Sequence, residues 1–203
     1  MSLRSPDDAP ENPFCTRCVR PGAIPFRFPS AMDVADLADQ FCAAGCHGAI
    51  VGPHGSGKST LLAALVVELQ QRGHAVCSLA LHDGQHWLPQ QCCGEQLVPG
   101  AILVVDGYEQ LGLLGRWRLR WLCHRRRLGL LVTSHRSTGF PLLFRTEGTL
   151  PLAQAIVARL QEGYEPRVLP DDVAREFPRC RGDLRELLFR FFDLYEARSR
   201  KGR

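Results

Sequence analysis

"GPHGSGKST", residues 52–60, decides how the rest of the chain is read. Gly52, Gly57, Lys58 and Ser59 fit G-x-x-x-x-G-K-[ST], and the flanks supply the setting this spacing needs. Before it, "GAIV" is short and β-branched, as buried strands of parallel sheets are. After it, "STLLAALVVELQQR" has a helical pattern that Gly73 terminates. Strand, glycine-rich turn and helix together form a phosphate cradle. Glycines let backbone amides turn inward, and the helix N-terminus adds its partial positive charge.

Each position in the cradle then has an expected task. Gly52, Gly55, Ser56, Gly57 and Thr60 line the turn, and Lys58 reaches the β- and γ-phosphates. The Ser59 hydroxyl ligates Mg2+. A second acid is required to hold the metal, carried at the end of an apolar strand, and "AILVVDGYEQ" offers Asp106 there. Glu109, three residues on, is the candidate to polarise an attacking water. GTP is disfavoured, because guanine readers carry [NT]-K-x-D and the only lysines are Lys58 and Lys201. L-S-G-G-Q is absent, which excludes an ABC transporter ATPase. The expected ligand is ATP with Mg2+.

Working outward, "HAVCSLAL" and "LGLLVTS" read as further strands, with a helical, arginine-rich segment at about 111–127. Strands alternating with helices predict an α/β fold with a parallel sheet, the three-layer core of a P-loop NTPase. Upstream, Ser30 with Asp33 reads as a capping box for a helix that buries Val34, Leu37, Ala38 and Phe41 and ends near Gly45. After "FPLLFRTEGTLP" the patterns are helical only, which predicts a small C-terminal helical lid. The expected divisions are an extended segment at 1–30, the nucleotide-binding core at 31–150, the lid-like subdomain at 151–198 and a basic tail at 199–203.

"GPHGSGKST" with "LVVDGYEQ", followed by "LLVTSHR" on the next strand, resembles the additional-strand P-loop ATPases, the branch containing AAA+ and STAND proteins. The resemblance implies that Thr133 or Ser134 senses the γ-phosphate. It implies that "RGDLRELL" opens a lid helix whose nucleotide-sensing arginine is Arg185, and that Arg20, Pro21 and Gly22 border the adenine. One departure matters. Gly107 and Tyr108 separate Asp106 from Glu109, and Gln110 stands where the STAND pattern has its glutamate, which argues for a slow ATPase or nucleotide switch. A small-molecule kinase and a nucleotide-regulated DNA-binding module are the alternatives.

Composition sets outer bounds. The 203 residues suffice for one sizeable core, and 45% hydrophobic, 23% charged and a formal net charge of +4 are ordinary for a globular protein. No apolar run spans a membrane, and "MSLRSPDDAPENPF" lacks the apolar centre of a secretion signal, so a cytoplasmic location is expected. The nine cysteines are then expected as thiols or metal ligands. Cys15, Cys18, Cys42 and Cys46, with His47 following, are candidate zinc ligands; the alternative is thiols filling small gaps. His54 reads as a variable loop position.

"RWRLRWLCHRRR", residues 116–127, has two readings. In the favoured one, Trp117, Trp121 and Leu122 pack on the sheet and the arginines face water. In the other, arginines meet phosphates and indoles stack on bases, which makes DNA a partner. An arginine here, or Arg145, acting as a finger on a neighbouring subunit's nucleotide requires a homo-oligomer.

Overall fold

A computed structural model describes residues 11–29, 31–82, 84 and 97–201. In chain order the elements are α1 (Thr16–Val19), α2 (Val34–Ala43), β1 (His47–Val51), α3 (Lys58–Gln71), β2 (Val76–Ala80), β3 (Ile102–Asp106), α4 (Leu113–Arg126), β4 (Gly129–Ser134), β5 (Leu142–Arg145), α5 (Leu150–Leu160), α6 (Pro170–Glu176) and α7 (Leu184–Lys201). They fall into two compact units, Pro25–Glu147 and the pair of segments Met1–Ile24 and Gly148–Arg203.

The first unit is built on a five-stranded parallel sheet of order β2-β3-β4-β1-β5. Its central strands are apolar through their middles, Gly48–Val51, Ile102–Val105 and Leu130–Val132, because both faces are covered there. Ile50, Ile102, Val104 and Leu131 face Leu37 and Phe41 of α2 and Leu61, Leu65 and Leu69 of α3. Their strand neighbours Val51, Leu103, Val105, Leu130 and Val132 face the other way, onto Leu119 and Cys123 of α4. Two-residue alternation thus splits each run between two helical layers, giving the expected three-layer α/β core.

Three local readings differ from the structure. The capping box of α2 is formed by Asp33 and Asp36, whose carboxylates exchange bonds with each other's backbone N–H at 2.9 and 3.0 Å, one turn later than the Ser30 pairing; Ser30 lies outside the described residues. A fifth strand, β5, runs through "LLFR", where the sequence signalled only a boundary. It is a four-residue edge strand, half exposed and ending at Arg145, so the period-2 signal is too short to read.

The third difference concerns α4. Its packed face is Gly115, Leu119 and Cys123, and Trp117 and Trp121 point away from the core, 63% and 50% exposed. The packing expected of those two indoles is therefore incorrect. Gly115, Leu119 and Cys123 recur every fourth residue and fill the seam against the sheet, which turns the tryptophan positions outward. Burial pushes the Cys123 thiol up to about 11, so it acts as a small apolar filler.

The second unit has a helical core in which Val157 of α5, Val173 of α6 and Leu187 and Phe191 of α7 surround Phe14. Phe14 meets Phe191 edge-on at 6.0 Å between ring centroids. Asn12 donates to the Phe192 carbonyl at 3.1 Å and to Glu196 at 3.0 Å, fastening residues beside α1 to α7. Buried Asp172 joins α6 to α7: Arg198 reaches both of its oxygens, at 2.5 and 3.0 Å, and Arg175 reaches one at 2.5 Å. Among the described residues no helix is long and apolar enough to cross a membrane.

Candidate functional site

All strands of a parallel sheet end at one edge, so the residues after β1, β3 and β4 meet there. The loop after β1 departs at Gly52, whose N–H donates to the Ser134 carbonyl of β4 at 3.1 Å. A β-carbon on Gly52 lands 2.2 Å from Thr146 Oγ1 and 2.4 Å from the Thr146 carbonyl, so no side chain fits. Gly55 and Gly57 take left-handed φ of 65° and 93°, turning the chain into the N-terminus of α3. Ser56 is buried; its Oγ donates to Pro53 O at 2.8 Å and lies 2.7 Å from Thr146 Oγ1. The floor of the turn is therefore anchored to the residue after β5.

Lys58 is also buried, and its ammonium donates to the carbonyls of Gly52 at 2.8 Å and Pro53 at 2.7 Å. A buried cation needs such partners, and these hold it within the arc of the loop. One residue on, Ser59 Oγ donates to Asp106 Oδ2 at 2.8 Å. The other Asp106 oxygen accepts from the Thr133 hydroxyl, which in turn accepts from the Gly107 N–H at 2.9 Å. Ser59, Asp106 and Thr133 thus form one chain of hydrogen bonds across α3, β3 and β4. Ser134 is buried beside it and caps the next turn through Arg136 N–H at 3.2 Å. Thr60 sits half-buried in the first turn of α3.

After Asp106 the chain turns sharply at Gly107, φ 84°, where a β-carbon would meet the Leu81 carbonyl at 2.9 Å. The short 3-10 turn Tyr108–Gln110 follows and carries Glu109 back over the strand ends. Its Oε1 lies 2.6 Å from Nε2 of His135, and its Oε2 is buried without a hydrogen-bond partner among the described residues. Burial and the neighbouring Lys58 ammonium hold the His135 pKa below the ordinary imidazole value, outweighing the opposite pull of Glu109. At neutral pH the ring is therefore uncharged and donates its Nε2–H to Glu109.

The loop, Lys58, Ser59, Asp106, Glu109, Thr133 and Ser134 are thus gathered at one sheet edge. Arg185 stands on α7 in the other unit, its guanidinium 5.7 Å over the Phe189 ring, and Arg20, Pro21 and Gly22 follow α1 in that unit. Arg145 is exposed on β5, in register with Val51. His54 is not a bare loop position: its ring stacks on His135 at 5.4 Å, with 16° between planes. Two residues escaped the sequence reading. His135 had a signal, its place directly after a strand that ends at the site; Thr146 had none, since it follows the unread fifth strand.

Among the described residues no group of three or more His, Cys, Asp and Glu side chains is arranged to hold a metal ion. Of the candidate zinc ligands, Cys15 and Cys18 belong to one unit and pair at 3.5 Å, while Cys42 and Cys46 belong to the other, where Cys42 lies 3.7 Å from His74 Nε2.

No protein-family profile and no curated protein matches the chain. Among solved structures it is similar to variants of RuvB from Thermotoga maritima. One superposes with a TM-score of 0.55 at 18% identity, over 77% of this chain and 57% of that one. Another gives 0.53 at 15% identity, over 81% and 61%. The chain spans about three fifths of the RuvB chains it matches. The likeness is one of fold, a parallel α/β core.

Proposed function

We propose that the chain binds ATP with Mg2+ at this sheet edge and works as a slow ATPase or nucleotide-operated switch of the additional-strand type. The observation that carries the reading is the 2.8 Å bond between Ser59 Oγ and Asp106 Oδ2, set at the mouth of a left-handed glycine turn. Two hard oxygen donors side by side are the set that magnesium takes, and inward amides with a helix N-terminus are the set a phosphate takes. The branch assignment is supported by strand order, since β4 lies between the P-loop strand β1 and the acid strand β3.

Roles follow from position. The Lys58 ammonium exchanges its loop carbonyls for β- and γ-phosphate oxygens. Ser59 and Asp106 hold the metal, which when bound neutralises phosphate charge. Gly55, Ser56, Gly57 and Thr60 supply donors to the phosphates. Thr133 fixes Asp106 and, with Ser134, reads the γ-phosphate. Glu109 orients the attacking water, and His135 sets the direction of its carboxylate. Arg185 is the proposed lid arginine.

The test is a nucleotide-binding and turnover assay on the full chain beside Lys58→Ala and Glu109→Gln. ATP affinity falls at least tenfold in the first and is retained in the second, which loses free phosphate release. Unchanged affinity in Lys58→Ala rejects the site. Phosphate delivered to an added small acceptor in place of water would make the protein a kinase.

A further inference from the structure

The end of the sheet opposite the P-loop carries a second feature, one that the nucleotide site does not use. The strands begin there, and between the starts of β1 and β4 and the last turn of α4 lies a concavity of about 690 Å³. Arg120, His124 and Arg127 of α4 and its C-cap line it from one side, and His47 lines it from another. None of the described residues lining it is a carboxylate. Arg120 is held in place by the Thr138 carbonyl at 2.7 Å and lies 4.6 Å over the Phe140 ring.

The outer face of α4 continues this surface. At 100° per residue, His124 stands between the concavity and the exposed pair Trp117 and Trp121, which lie one turn, or ~6 Å, apart along the axis. Arg118 and Arg125 border the indoles on the far side, the Arg125 guanidinium 5.4 Å from the Trp121 ring. Leu113 and Leu114 extend the exposed stripe toward the P-loop edge. No acidic residue occurs anywhere in α4. Two water-exposed indoles set among cations are a costly surface to maintain unpartnered, and they are unneeded for the core, which Gly115, Leu119 and Cys123 already seal.

The geometry points to a single-stranded nucleic acid as the occupant, its phosphates seated against Arg120 and Arg127 and its bases stacked on Trp117 and Trp121. The chemistry selects among partners. A second copy of this face would oppose arginines to arginines. A flat anionic lipid surface leaves the concavity unfilled, and an acidic peptide has no flat rings for the indoles. A strand offers regularly spaced charge and a π-face on every base, which is what alternating arginine and tryptophan matches. This inference is independent of the nucleotide reading, because its residues lie at the other sheet edge and along α4.

The test measures anisotropy of a fluorescein-labelled oligothymidylate titrated with the full chain, without nucleotide, across a salt series. Binding is expected, with affinity falling as salt rises. Trp117→Ala with Trp121→Ala removes two stacks and weakens it roughly 30-fold or more, and the double Phe variant, which keeps a stacking ring, recovers most of the loss. Arg120→Gln with Arg127→Asn reduces the slope of log affinity against log salt by about 1.4, since each phosphate contact on a single strand contributes ~0.7. Asn suits the left-handed backbone of Arg127, φ 54°, so this variant keeps the fold. Absence of binding at low salt overturns the proposal. So do equal affinities for wild type, the Trp-to-Ala pair and the arginine pair, or sedimentation with phosphatidylglycerol vesicles while the oligonucleotide stays free. Loss of ATP binding in Lys58→Ala with oligothymidylate binding intact separates this site from the first.

Discussion

Nε2 of His135 lies 2.6 Å from Oε1 of Glu109, which ties the residue after β4 to the turn after β3. With Oε2 buried and without a hydrogen-bond partner among the described residues, that contact fixes which way the carboxylate points. If Glu109 orients water, His135→Ala should lower turnover roughly tenfold and leave ATP affinity unchanged, while Glu109→Gln should lower it at least ~100-fold. The split between kcat and ATP affinity in steady-state and equilibrium measurements checks this; equal turnover in His135→Ala and wild type rejects the orienting role.

The same pair predicts a pH profile. The His135 pKa is held below the ordinary imidazole value of 6.5, so the ring is neutral at and above neutral pH. Turnover should therefore be level around neutrality and fall only below about pH 6.5, when an imidazolium pairs with Glu109 and lowers its basicity. A fall that begins well above pH 7 contradicts the arrangement.

Gly52→Ala tests the close approach under the loop. The new β-carbon meets both the hydroxyl and the carbonyl of Thr146, at 2.2 and 2.4 Å. Loop and strand must part to admit it, at a cost of about 2–3 kcal/mol, read as a lower midpoint in urea. Thr146→Ala should not restore the loss, because the carbonyl remains.

Much of this architecture was legible because its causes are local. Continuous apolar strands with a glycine loop before a helix dictated the parallel core, and an apolar strand ending in Asp106 pointed to the carboxylate that meets Ser59. What escaped depends on contacts distant in sequence. Thr146 reaches Ser56 across 90 positions, through an edge strand whose apolar pattern stops after three residues. The stacking of His54 on His135 exists only once β1 and β4 are neighbours. The tryptophans of α4 were misassigned for another reason: hydrophobicity favours burying an indole, but the small residues Gly115 and Cys123 let the helix lie closer to the sheet and took that face instead.

Thr133→Val separates positioning from binding at the acid. The substitution removes the hydroxyl that Asp106 and the Gly107 N–H share, and Val keeps the volume. A donor and an acceptor are left without partners, which should cost about 1–3 kcal/mol of stability. Mg2+-dependent ATP affinity should fall by more than the affinity measured in excess chelator, which loses only the γ-phosphate contact of Thr133. A fall of equal size with and without metal contradicts the proposed role.

Asp172 supplies a prediction about the helical unit taken by itself. Arg198 chiefly, with the Leu169 N–H and Arg175, holds its carboxyl at about 2, against an ordinary 3.8. A carboxyl whose pKa is depressed by folding adds stability that is fully present above the unfolded value and drains as pH falls toward the folded one. The window therefore runs from about pH 5 down to about pH 2, and the linked free energy is of order 2 kcal/mol. Asp172→Asn should remove that contribution at neutral pH and leave Arg198 facing an amide, so thermal unfolding at pH 7 shifts downward. At pH 2 the variant and wild type should differ far less, because wild type is by then losing its own charge. A gap between their midpoints that stays constant from pH 7 to pH 2 would show that packing, and not the ion pair across α6 and α7, is what the carboxylate contributes.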